Sequence, residues 1–205
     1  MHPGWVARAD CRAYPAPEIS VEAFLVSLGA VALAEIGDKT QLLSLVLAAK
    51  FRKPWPICAG ILVASLLSHA IAAELGAWLA QWMTPEVQRW LIGLSFLAVA
   101  AWALLPEKEE PVDAPKRPGR GVFVASVIAF FLAELGDRTQ IATVVLGAQY
   151  HPLWQVIAGS TAGMLVANVP VVFLGARFAA HLPLRATRLA AAALFAALGV
   201  WILLR

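Results

Sequence analysis

Charge is scarce in this sequence. Of 205 residues, 14% are Asp, Glu, Lys or Arg, while 60% are hydrophobic, and the mean hydropathy is +0.74. A soluble domain carries about a quarter charged residues. This chain cannot cover its apolar surface with its own polar groups, so a soluble globular fold is excluded and lipid becomes its solvent. Cysteine is scarce too. Cys11 lies in a polar stretch and Cys58 near the start of an apolar block, neither with a metal-type partner at short spacing, which argues against a disulfide framework and a zinc site. The net charge of +3 gathers on no single basic face, because the positive residues fall between apolar blocks. Nucleic acid is therefore not an expected partner. Met1–Ser20 has no apolar core of signal-peptide length and reads as a disordered tail, leaving targeting to the first membrane helix.

What the sequence has instead is six apolar blocks: Val21–Ala49, Trp55–Ala80, Val87–Leu105, Gly121–Ala148, Trp154–Ala180 and Leu184–Leu204. Each is about long enough to cross a ~30 Å hydrocarbon layer as a helix. Lys50-Phe51-Arg52-Lys53-Pro54, Thr84-Pro85, the polar stretch Pro106–Arg120, Tyr150-His151-Pro152 and Pro183 separate them, with the residue types that end helices.

The sequence also repeats itself. Ala34–Gln41 reads AEIGDKTQ and Ala133–Gln140 reads AELGDRTQ, an offset of 99 residues between Glu35 and Glu134. The same offset, without a gap, relates Phe24 to Phe123, Trp55 to Trp154, Gly60 to Gly159, His69 to Asn168, Phe96 to Phe195 and Trp102 to Trp201. Shared Ala and Leu would follow from composition alone. Shared Glu, Gly, Asp, Thr, Gln and Trp positions mark a duplication. The domains are then a tail (1–20), a first three-helix repeat (21–105), a linker (106–120) and a second three-helix repeat (121–205).

Three spans per repeat is an odd number, so the second copy enters the membrane from the opposite side. Lys50, Arg52 and Lys53, then Lys108, Lys116, Arg117 and Arg120, then Arg185 and Arg188 fall in loops on one face, against Arg8, Arg12, Arg89 and Arg205 on the other. The richer face is expected to be cytoplasmic, which makes the central loop cytoplasmic and both termini external. The expected fold is an all-α integral membrane protein, six transmembrane helices as two inverted three-helix repeats. Transporters of this build carry their site at the midplane.

Each motif separates its acids by three residues: Glu35 and Asp38, then Glu134 and Asp137. On a continuous helix these share a face, and Gln41 and Gln140 extend it. Ionisable groups inside a bilayer cost several kcal/mol each and usually have a task. Structural ion pairs with Lys39 and Arg138 are one reading. Two cations cannot balance four carboxylates, however, and the surplus negative charge calls for a divalent cation or protons. The candidate donors are oxygen-rich: the four acids, the amides of Gln41 and Gln140, and the hydroxyls of Thr40, Thr139, Ser44 and Thr143. Oxygen donors suit Mg²⁺, Ca²⁺ and Mn²⁺, and the absence of Cys or Met from the motifs argues against copper(I). His69, beside Ser65 and Ser68, and Asn168, beside Pro170, add polar groups to the second helix of each repeat. Either serves as a helix–helix hydrogen bond or as part of the site; a His nitrogen suits manganese better than calcium. Glu74, whose equivalent is Phe173, is a poor candidate for a core ligand. Gly37 and Gly136 are open to two readings, a helix break or close packing.

Glu35-Ile36-Gly37-Asp38-Lys39-Thr40 and Glu134-Leu135-Gly136-Asp137-Arg138-Thr139 resemble the paired E-x-G-D-[KR]-[TS] signature of the GDT family. These are small cation/proton exchangers of the lysine-exporter superfamily, with bacterial manganese exporters and Golgi manganese/calcium exchangers among them. The resemblance runs from about Val21 to Leu204. It implies transport of Mn²⁺ or Ca²⁺ coupled to protons, with the motif acids as ligands; the chain is further expected to hold no permanently bound cofactor and to be a multi-pass protein of the inner membrane. It does not fix the metal or the oligomeric state. A different class, an intramembrane aspartyl protease, would use Asp38 and Asp137 as a dyad, but Glu35 and Glu134 stand where that class resembles a G-x-G-D pattern. A carrier of another substrate, such as a cationic amino acid, is the remaining alternative.

Overall fold

The structure is a computed structural model describing residues 21–105, 121–175 and 184–205. Among the described residues the regular structure is all helical: α1 (Glu22–Glu35), α2 (Lys39–Phe51), α3 (Pro54–Ala80), α4 (Pro85–Leu104), α5 (Gly121–Glu134), α6 (Arg138–Gln149), α7 (Leu153–Leu174) and α8 (Leu184–Leu204). The expected tail (1–20), the linker (106–120) with its basic residues, and the break at Pro183 lie outside the described residues.

Four helices, α3, α4, α7 and residues 185–204 of α8, are long and apolar enough to cross a membrane. The blocks Val21–Ala49 and Gly121–Ala148 are not single helices, and this corrects the reading of each motif as one helical face. Gly37 and Gly136 have φ of 83° and 75°, a left-handed conformation that glycine adopts without a Cβ penalty. Each chain segment therefore leaves one helix and starts another inside the motif. Of the two readings of these glycines, the break is the one observed.

Other boundaries follow familiar chemistry. Pro54 and Pro85 occupy first turns, where the missing N–H costs nothing. Thr84 caps α4 by accepting from Val87 N at 3.4 Å. Arg52, in the left-handed region, closes α2 with its N–H on Ala48 O. Pro170 sits inside α7, which continues through it to Leu174. Trp55 and Trp154, equivalent in the repeat, are both exposed near helix starts, where an amphipathic ring suits a membrane–water interface.

Helices in lipid gain little from hydrophobicity when they associate and depend on close packing. The closest approaches here exchange the two halves. α1 lies along α7, and α5 along α3. A Cβ on Gly159 would collide with the Phe24 carbonyl and the Ser27 side chain; one on Gly60 would collide with the Phe123 carbonyl and the Ser126 side chain. Each of these residues is the other's equivalent at the 99-residue offset. α2 likewise packs on α7 and α6 on α3, while α4 meets α8. Phe96 and Phe195, again equivalents, stack there with centroids 6.1 Å apart. Because each broken pair leans on the other half's long helix, the two breaks come together.

Candidate metal centre

Glu35 is the last residue of α1 and Glu134 the last of α5, while Asp38 and Asp137 are the N-caps of α2 and α6. The break places each acid beside an unfinished helix end. Asp carboxylates thus stand where the partial positive charge of a helix N-terminus favours an anion. Two hydrogen bonds repair each break. Asp38 N donates to Glu35 O and Asp137 N to Glu134 O, both at 3.1 Å. Gly37 N donates to Gln41 Oε1 at 3.0 Å, and Gly136 N to Gln140 Oε1 at 2.8 Å. The glutamines reach back to the start of their helix much as the third residue of a capping box does. Their other ends hold the opposite half: Gln41 Nε2 donates to Ala167 O at 3.1 Å, and Gln140 Nε2 approaches Ser68 Oγ at 3.5 Å. Ala167 and Ser68 are repeat equivalents. The amides expected to be ligands thus spend their oxygens on the backbone of the break.

All four acids are buried, and the motifs exchange their cations. Arg138 Nη2 lies 3.2 Å from Asp38 Oδ1, and Lys39 Nζ 3.1 Å from Asp137 Oδ1. Each cation crosses to the other motif's aspartate. Glu35, Asp38 and Asp137 offer carboxylate oxygens within 4.8 Å of one another. Three oxygens from two chain segments, at that spacing, can converge on one hard cation. Thr40 Oγ1 donates to Glu35 Oε2, and Thr139 Oγ1 donates to Asp137 Oδ2 at 3.1 Å. Glu35 Oε1 is buried and accepts no hydrogen bond among the described residues, so it keeps lone pairs for a further partner. A buried charge left so is costly unless a cation or a proton completes it.

Glu134 stands outside that trio. Ser65 Oγ donates to its Oε1 at 2.9 Å, and its Oε2 is buried with no hydrogen-bond partner among the described residues. Of the remaining candidates, Ser44 and Thr143 lie on the short helices α2 and α6, and His69 and Asn168 on the long helices α3 and α7. Ser44 Oγ donates to Asn168 Oδ1 at 2.8 Å, and Asn168 Nδ2 donates to Met164 O at 3.1 Å. Thr143 Oγ1 donates to Thr139 O at 2.8 Å and lies 3.5 Å from Ser160 Oγ. His69 Nδ1 lies 3.4 Å from Thr161 Oγ1, with Nε2 buried and accepting nothing among the described residues. Ser160 and Thr161 were not singled out from sequence; their signal is two adjacent hydroxyls in an apolar block. Glu74 is exposed on α3, away from this arrangement.

A family model described as "Divalent cation/proton antiporter GDT1" matches residues 23–111 and 122–205. The chain is 52% identical over 186 residues to a Vibrio cholerae serotype O1 protein named "Putative manganese exporter", covering 88% of this chain and 90% of that one. It is 30% identical over 178 residues to a GDT1-like protein of Synechocystis (77% and 84% covered). To the GDT1-like protein 5 of Arabidopsis thaliana it is 26% identical over 226 residues (90% and 96% covered). No solved structure matches the chain.

Proposed function

Because the chain belongs to the GDT1 family of divalent cation/proton antiporters, a family of transporters and not of enzymes, we propose that it exports a divalent metal cation, manganese first, in exchange for protons. The observation that carries the reading is the buried carboxylate trio Glu35, Asp38 and Asp137, with ligand oxygens from both motifs within 4.8 Å. The cation is cargo, held in one state and replaced by protons on the same oxygens in another. Glu134, with its hydroxyl partner, stands beside the trio as the fourth acid. Gln41 and Gln140 hold the breaks open. Thr40 and Thr139 orient the carboxylates they touch, while Ser44, Thr143, His69 and Asn168 form the polar lining behind them. The manganese preference rests on two supports. A relative at 52% identity carries a manganese exporter's name, and Mg²⁺ sheds its water too reluctantly for a cage of protein oxygens.

In this reading the membrane is crossed six times. α1 and α2 have 14 and 13 residues, each roughly 20 Å long at ~1.5 Å per residue. Neither spans alone; α1 with α2, and α5 with α6, each make one broken crossing. Irregular backbone at membrane depth is tolerated where protein buries it. The repeats, 21–105 and 121–205, then run in opposite senses. The exchange of equivalent contacts between the halves supports this inverted pairing. The charge bias puts the 106–120 linker in the cytoplasm, with both termini outside an inner membrane. A cysteine at position 113 should accept a charged label only after permeabilisation; labelling of intact cells from outside would reverse the orientation.

The functional test is uptake by proteoliposomes containing the pure protein under an imposed pH gradient. Mn²⁺ movement coupled to proton counter-movement is expected. Calcium movement without manganese would transfer the reading to a Ca²⁺/H⁺ exchanger, and no divalent movement would end it.

A further inference from the structure

The two motif cations occupy equivalent positions and live differently. The Arg138 side chain is 5% exposed and the Lys39 side chain 39% exposed, although each lies within 3.2 Å of the opposite aspartate. Arg138 is a buried, planar guanidinium with little room to leave Asp38. Lys39 is a point charge on a flexible stem, and its side chain is partly exposed. Asp137 is moreover fully engaged, with Oδ1 on Lys39 and Oδ2 on Thr139. It is also one of the three carboxylates that the metal reading requires.

We propose that Lys39 is a tethered counter-cation that holds Asp137 when the metal is absent and is displaced from it when a divalent cation binds, while Arg138 stays on Asp38 as a fixed charge. The proposal rests on the reading of the trio as the metal site. Charge supports it. Three ionised carboxylates with Arg138 alone carry a charge of minus two, which one divalent cation cancels. With Lys39 still in place, the loaded trio, counted without Glu134, would carry a charge of plus one. Proximity supports it as well, because a divalent ion and Nζ on one carboxylate repel each other across a few ångströms of poorly screened interior. Lys39 is thus a positioning residue that competes with the cargo. It weakens binding enough for release and brings the empty trio from minus two to minus one.

The test compares Lys39→Gln, Lys39→Met and Lys39→Arg in the full chain. Mn²⁺ binding is read by electron paramagnetic resonance in detergent, and KM and turnover in proteoliposomes. Both neutral variants should bind Mn²⁺ about two- to fivefold more tightly, the size expected for removing a partly exposed ion pair. Their KM should fall and their turnover should fall with it. Lys39→Arg, whose fork grips a carboxylate at two points, should raise KM. Wild-type protein that binds no Mn²⁺ would overturn the metal reading itself. Wild-type binding with unchanged or weaker binding in a folded neutral variant would overturn the role of Lys39 alone. If both neutral variants fail to fold, a KM for Lys39→Arg at or below wild type decides against the proposal.

Discussion

Glu35 and Glu134 hold the same place in their repeats and meet different neighbours. Glu35 takes a hydroxyl from its own motif, Thr40, and stays with Asp38 and Asp137. Glu134 takes a hydroxyl from Ser65, on the long helix α3, and lies outside the trio. The residue equivalent to Ser65 is Met164, which has no hydroxyl to offer Glu35. Substitutions on the supporting helix, Ser65 against Met164 and Ser68 against Ala167, thus accompany the division of the acids into three and one. Duplication supplied two matching sets of acids, and divergence at the supporting helix separates their surroundings.

That difference is open to attack by mutation, and the largest effect is expected at the acids. Glu35→Gln should cost Mn²⁺ affinity more than the roughly 10–100-fold that loss of an outer partner costs a metal site. Glu134→Gln should stop exchange while keeping binding within a few-fold of wild type. Equal loss of binding in the two variants, measured on purified protein, would erase the distinction between the trio and the fourth acid.

A smaller effect is expected where the copies agree. Gly37→Ala and Gly136→Ala each force a Cβ into a left-handed residue, costing roughly 1–2 kcal/mol. Both should lower the thermal unfolding midpoint in detergent and slow exchange to a similar degree. If either alanine variant proved neutral, the broken helix would not depend on that glycine's conformation.

The smallest effect belongs to the glutamines. Gln41→Ala and Gln140→Ala each leave a glycine N–H without its acceptor, a loss of about 1 kcal/mol. Gln41 should cost more, because it is buried and holds Ala167 O at 3.1 Å, against 3.5 Å for Gln140 on Ser68. Thermal midpoints of the two variants give the comparison; a larger drop for Gln140→Ala would invert it.

Much of this was legible in the sequence, because duplication makes a polar motif visible against an apolar background. The paired acids, their number and the excess of negative charge need only the sequence. The break was not decidable. A helix apolar all round has no amphipathic period for an interruption to disturb, so Gly37 and Gly136 fit packing as well as rupture. Reading the motif as one helix put Gln41 and Gln140 on the ligand face, whereas their oxygens go to the broken backbone. The crossing of Lys39 and Arg138 was hidden for another reason. Adjacency within a motif does not say which acid a cation meets; only the packing of α2 on α7 and α6 on α3 brings the motifs face to face.

In the proposed function both motifs hold one cation together. Titration calorimetry of Mn²⁺ into the purified chain, beside Asp38→Asn and Asp137→Asn, tests it most directly. One Mn²⁺ per chain is expected, with comparable loss of binding from either substitution, although the two residues belong to different repeats. Two Mn²⁺ per chain, or wild-type affinity in either variant, would contradict it.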